Sequence, residues 1–173
     1  MQWSLESKIE IAASPAAVRD KVSRSPLNIS PSKLITSQFL DFSQTLKWSP
    51  NGFIQKVSPI SPSTELQLVA NEPIEVQLAM GTFKSTIVKN TPEEFVWRAS
   101  MPYIFTGTHH FQFTPSSTPG NTTFTQVEYF TGALGWMMGN SLVSRWMGIR
   151  EGTRVRWEAF NKDLKAEMEK INT

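Results

Sequence analysis

The sequence predicts an α+β fold: a curved antiparallel sheet wrapped around a long C-terminal helix, with an internal apolar pocket between them. Three observations predict it. From Thr64 to Thr131 the chain runs in short alternating segments separated by turn residues, as antiparallel strands with one buried face do. After Pro119 there is no proline, and Asn140 to Ile171 carries apolar residues at steps of three and four. A sheet with one apolar face and a helix with one apolar stripe must bury them against each other.

Ser4 to Ala12 alternates and reads as a first strand. Ser14-Pro15 is an N-cap followed by proline at the first helical position, opening a short helix through Val18 and Val22. Ser23 to Lys33, rich in Ser and Pro, reads as an irregular loop, and Leu34 to Phe42 as a second short helix. Asn51-Gly52 is a turn before a strand over Phe53–Val57. Further strands fall at Glu65–Ala70, Ile74–Ala79, Thr82–Lys89, Glu94–Met101, Tyr103–Thr114 and Thr122–Thr131. Pro102 marks a tight reversal, and Pro119-Gly120 suits the centre of a type II turn. The last helix presents Trp146, Ile149, Thr153, Trp157, Phe160, Leu164, Met168 and Ile171 on one face and Glu151, Arg154, Glu158, Lys162 and Lys165 on the other. Gly148 and Gly152 cost this helix about 1 kcal/mol each against alanine, and close packing or room for a ligand accounts for them. Trp136, Met137 and Met138 form an apolar corner before it that packs or gates the pocket mouth.

The 173 residues fit one domain, 1–173, with a full core. Hydrophobic residues make up 39% and charged residues 18%, the balance of a globular chain. A net charge of +2 is too small to imply a nucleic-acid partner. With no cysteine there is no disulfide, thiolate nucleophile or zinc ribbon. The N-terminus lacks a basic start followed by an apolar run, and no apolar stretch approaches the ~20 residues of a membrane span, so a cytoplasmic location is expected. Eleven Phe and six Trp against two Tyr can fill a core or line a cavity for a flat, apolar ligand.

Polar groups on the apolar face locate the candidate site. Phe95, Trp97, Ala99 and Met101 share one face of their strand; Phe105, Gly107, His109, Phe111 and Phe113 share one of the next; Phe124, Gln126, Glu128 and Phe130 share one of the third. A reversal that pairs Met101 with Phe105 sets Trp97 opposite His109, and a loop that pairs Phe113 with Phe124 sets His109 opposite Glu128. Directly opposed Cβ atoms lie ~5 Å apart, so Trp97, His109 and Glu128 form a row with Gln126 one step away. A carboxylate on an apolar face is costly unless paired, and a histidine beside it shares its proton. His109 and Glu128 are therefore candidates for acid–base catalysis, although the residues by themselves favour a structural pair that satisfies itself. His109 and His110 point to opposite faces and cannot chelate one metal together; neither a metal site nor a phosphate-binding loop is expected.

The segments Phe95-Val-Trp97-Arg98, Phe105-Thr-Gly107-Thr-His109-His110-Phe111-Gln-Phe113, Thr123-Phe-Thr-Gln126-Val-Glu128-Tyr-Phe130-Thr-Gly132, Arg150-Glu-Gly152 and Phe160-Asn161-Lys-Asp-Leu164-Lys165 resemble the SRPBCC superfamily, the START-like helix-grip group that includes polyketide cyclase/dehydrase-like proteins. Ser14-Pro15-Ala-Ala-Val18 and Phe39-Leu-Asp41-Phe42 to Trp48 resemble its first helical stretch, while Ser23–Lys33 looks like extra sequence there. The resemblance implies a pocket between sheet and helix for a lipid, hormone, polyketide or other hydrophobic metabolite. It leaves two readings open. One is an enzyme without metal or organic cofactor that cyclises, dehydrates or isomerises a polyketide- or terpenoid-like intermediate. His109 and Glu128 would then be catalytic, and Trp97, Phe105, Phe111, Gln126, Phe130, Trp157 and Phe160 would bind substrate. The other is a non-catalytic binding or transfer protein for the same class of molecule. A third reading, an interaction module whose cavity is filled by its own side chains, competes with both.

Overall fold

A computed structural model describes residues 2–23, 45–60, 69–139 and 141–170. The described elements are, in chain order, β1 (Trp3–Ile11), α1 (Pro15–Ser23), α2 (Thr45–Trp48), β2 (Ile54–Pro59), β3 (Pro73–Leu78), β4 (Gly81–Asn90), β5 (Glu94–Met101), β6 (Phe105–Pro115), β7 (Thr122–Thr131), a 3-10 turn (Gly135–Met138), α3 (Leu142–Met147) and α4 (Ile149–Glu169). The strands form one antiparallel sheet in the order β1-β7-β6-β5-β4-β3-β2. The hairpins from β2 to β7 each pair with the next, and β1 closes onto β7 with Leu5 opposite Glu128 and Ser7 opposite Gln126.

The periodicities explain the layers. Leu5, Ile11, Phe95, Trp97, Phe111, Phe113, Phe124 and Phe130, all from the predicted inward phases, are buried. The helix stripe Thr153, Trp157, Phe160, Leu164 and Met168 is buried against them. Ser14 caps α1, its hydroxyl accepting from Ala17 N at 3.3 Å. The predicted turn before β7 forms over Thr118–Asn121, with Gly120 at φ 83°. At Pro102 the chain reverses with Ile104 N donating to Met101 O at 3.1 Å, and Tyr103 takes the left-handed position at φ 64°.

Three expectations are corrected. The single helix over Asn140–Ile171 is two helices. Gly148, at φ 65°, is both the C-cap of α3 and the N-cap of α4, and this left-handed residue turns the axis. Trp146, placed by the uninterrupted period on the buried stripe, is therefore 87% exposed, as Leu142 is at 83%. The strand over Glu65–Ala70 has no counterpart at Val69 and Ala70, which lead into a turn; 65–68 lie outside the described residues. So do the proposed loop after Ser23 and the proposed helix over Leu34–Phe42, whereas Ser23 itself closes α1. At the apolar corner Met138 is buried and Trp136 is 37% exposed. No helix among the described residues is long and apolar enough to cross a membrane.

Candidate functional site

The strand registers put the predicted row together. Trp97 pairs with His109 and His109 with Glu128, and the row continues to Ile87 on one side and Leu5 on the other. His109 is 1% exposed. Its ring stacks on Phe111 with centroids 4.2 Å apart and planes 12° from parallel, and it touches the rings of Trp157 at 4.7 Å and Trp97 at 5.5 Å. The imidazole is thus wedged between the sheet and α4, and its two nitrogens have different partners. Nδ1 lies 3.5 Å from Glu128 Oε2, and Nε2 lies 3.2 Å from Gln126 Oε1. The Glu128 side chain is 16% exposed and the His109 side chain 2%.

Gly107 makes room for that carboxylate. It pairs with Phe130, one step from Glu128 on the same face, and a Cβ built on it would overlap Glu128 Oε1. Across the sheet the same row reads Ser85, Ala99, Gly107, Phe130, so three small residues lie beside the row of Ile87, Trp97, His109 and Glu128. The Ser85 hydroxyl is buried and has no hydrogen-bond partner, nor has Trp157 Nε1. Unpaired buried donors are rare and call for a physical reason, such as a group that the site is shaped to receive.

Of the residues predicted to bind substrate, Trp97, Phe111, Phe130, Trp157 and Phe160 are all buried on the inner face. Phe105 is half-buried and packs on Phe130 at 5.7 Å, at the end of the face where Met101 and Ile104 are each 49% exposed. Phe160 sits away from the dyad, against Trp48 of α2 at 5.2 Å. Gln126 is differently placed from the expectation. Both ends of its amide are engaged inside the protein: Oε1 faces His109, and Nε2 donates to Asn161 Oδ1 at 2.6 Å. Asn161 Nδ2 donates in turn to Ser7 Oγ at 3.0 Å. Gln126 therefore holds the histidine rather than offering a free amide. Asn161 and Ser7 were missed, yet each had a signal: Asn161 is a polar residue in the apolar stripe between Trp157 and Leu164, and Ser7 lies in phase between Leu5 and Ile9.

Two clefts among the described residues border β1, and neither is the expected apolar pocket. The larger, about 790 Å³, lies where β1 meets α3 and α4 and is bordered by Leu5, Ser144, Arg145, Arg150 and Arg154. The smaller, about 350 Å³, continues along β1 beside Ser7, Arg154, Glu158 and Asn161. Both are open and mixed in polarity because β1 is the edge strand and charged residues of α4 lean over it. Among the described residues no three His, Asp or Glu side chains converge as metal ligands.

On the outer face a second histidine has a carboxylate of its own. His110 Nδ1 donates to Glu94 Oε1 at 2.8 Å, Gln112 Nε2 donates to the same oxygen at 3.1 Å, and Lys89 Nζ donates to Oε2 at 2.9 Å. Burial pushes the Glu94 carboxyl up, but these hydrogen bonds and the charge of His110 outweigh it and bring it down to about 2.

No family model matches the sequence, and no curated protein matches it. Solved structures do match along nearly the whole chain. A START superfamily protein from Mycobacterium smegmatis superposes with a TM-score of 0.60 at 13% identity, covering 97% of this chain and 98% of that one. The fold is therefore the START-like helix-grip fold. Norcoclaurine synthase of Thalictrum flavum, solved as a point mutant with a transition-state analogue, shares this helix-grip architecture at TM-score 0.61 and 10% identity over 100% and 98% of the two chains. The di-domain ARO/CYC BexL of the BE-7585A biosynthetic pathway shares it at TM-score 0.58 and 16% identity, over 97% of this chain and 50% of that one. At these identities the helix-grip fold is what the chains have in common.

Proposed function

We propose that this protein binds a small hydrophobic metabolite bearing oxygen atoms at the inner face of its sheet, and that Glu128 and His109 move a proton on it during a cyclisation, dehydration or isomerisation. The observation that carries the reading is the placement of a carboxylate–imidazole pair on a face rich in Phe and Trp, with the unpartnered Trp157 indole against the imidazole and the unpartnered Ser85 hydroxyl on β4. A partly exposed glutamate with a buried histidine behind it would serve as a general acid–base unit, the histidine supplying or taking up the proton as the carboxylate acts. Trp157 Nε1 and Ser85 Oγ would hydrogen-bond the oxygens of such a ligand, which a plain hydrocarbon does not have. Trp97, Phe105, Phe111 and Phe130 would contact its apolar part, entering from the half-open end at Phe105. Two structural neighbours, an ARO/CYC protein of a biosynthetic pathway and norcoclaurine synthase, are named for enzymatic roles and lend support.

The test is native mass spectrometry of the purified protein, solvent extraction of any bound molecule, and incubation of that molecule with wild type and Glu128→Gln. Conversion by wild type and none by the variant, with binding retained, is the expected result. Binding without conversion by either protein would favour a carrier. The close ring packing around His109 favours the third reading, a closed module, and extraction of nothing, with no response to oxygenated aromatic probes, would establish it.

A further inference from the structure

Three buried side chains outside the dyad fix which nitrogen of His109 carries a proton. The chain of amides has a direction. Asn161 Nδ2 donates to Ser7 Oγ at 3.0 Å, which leaves Asn161 Oδ1 as the acceptor for Gln126 Nε2 at 2.6 Å. That in turn leaves Gln126 Oε1, an oxygen without a hydrogen, facing His109 Nε2 at 3.2 Å. Nε2 must therefore be the donor, and in the neutral ring the lone pair sits on Nδ1. Nδ1 faces Glu128 Oε2 at 3.5 Å, where an unprotonated nitrogen and an ionised carboxylate would repel each other. A proton exchanged between the two groups therefore passes through Nδ1.

We infer that Ser7, Asn161 and Gln126 are positioning residues that hold His109 as the Nε2–H tautomer, and so leave Nδ1, the nitrogen that faces Glu128, as the one that takes up or releases a proton. Each comes from a different element: Ser7 from β1, Asn161 from α4 and Gln126 from β7. The relay thus ties the edge strand and the helix to the central histidine. All three are buried, with Asn161 and Gln126 each 1% exposed and Ser7 8%, the Ser7 end bordering the smaller cleft. The ring cannot escape by turning over, because Phe111 stacks on it and Trp157 and Trp97 press against it. Reversing the tautomer requires both amides to flip together. The Ser7 hydroxyl, able to donate or accept, is the one member that tolerates either direction.

The inference rests on the acid–base reading for its purpose but not for its test. The sequence contains two histidines, so the full chain carrying His110→Gln and labelled with 15N-histidine reports His109 alone. Nitrogen–proton correlation spectra then read which ring nitrogen is protonated. In this background, and with Glu128→Gln added to leave a neutral ring, Nε2 is expected to carry the proton. Asn161→Asp, an acceptor that keeps Gln126 oriented, should preserve that signature, and Asn161→Leu should mix in or switch to the Nδ1–H form. A bare Nε2 in the parent protein would overturn the inference, as would an unchanged spectrum in folded Asn161→Leu. Should Asn161→Leu fail to fold, the parent spectrum still decides. A failed search for substrate leaves these spectra untouched, and an opposite tautomer leaves the Glu128→Gln turnover test standing.

Discussion

Glu94→Gln should cost stability at neutral pH and remove that difference in acid. The substitution keeps the shape of the side chain and one oxygen acceptor but deletes the charge that Lys89 and His110 face on the outer surface of β5. A carboxyl held lower in the folded than in the unfolded chain stabilises the fold fully above its unfolded value, and that contribution is lost as pH falls through the folded value. For Glu94 the window runs from the ordinary 4.5 down to about 2. At ~1.4 kcal/mol per pH unit the ceiling is about 3 kcal/mol. Lys89 is 48% exposed, so solvent screening takes much of this away and about 1–2 kcal/mol remains. Urea melts of both proteins from neutral pH to about pH 2.5 measure the difference directly. Glu10 and Glu169, whose carboxyls are also lowered by hydrogen bonds, are common to both proteins and largely cancel. The gap should be about 1–2 kcal/mol at neutral pH and close as the pH approaches 2. A gap that is absent at neutral pH, or that persists unchanged into acid, would refute the assignment of this network as a source of stability.

Gly107→Ala should turn the Glu128 carboxylate away from His109 without unfolding the sheet, because the group it displaces is the tip of a flexible side chain. The stability change should stay within about 1 kcal/mol while turnover of any identified substrate is lost; full activity would show that the carboxylate acts elsewhere. Ser85→Ala removes a buried hydroxyl that has no partner and should raise the stability of the free protein by about 1 kcal/mol, while weakening binding of an oxygenated ligand; a loss of stability in thermal melts would mean that the hydroxyl is satisfied. Gly148→Ala meets no neighbouring atom, so its cost is the left-handed backbone by itself, about 1–2 kcal/mol in denaturant melts; a neutral result would mean that the helix break is not held at that residue.

Much of the site was legible because strands report faces and turns report registers. Two turns, at Pro102 and at Pro119-Gly120, were enough to align Trp97, His109 and Glu128, since each has proline and a short reach. The relay was not legible in the same way. Ser7 and Asn161 lie 154 residues apart, and only the docking of α4 on β1 brings them together. Gln126 looked like a ligand contact because its face was known and its partner was not. Trp146 was misplaced because a repeat of three and four residues continues through Gly148 in sequence, whereas its left-handed backbone does not continue the helix.

What the sequence by itself determined is the set of local alternations: which side chains of the central strands face inward, and that a carboxylate and a histidine share an apolar face. These depend on short-range periodicity, which is written in consecutive residues. What only the tertiary structure decided is the direction of the proton. That depends on how amides from β7 and α4 and a hydroxyl from β1 meet where the helix packs on the sheet and each donor must find its acceptor. Long-range pairing of that kind is fixed by packing, and no spacing along the chain encodes it.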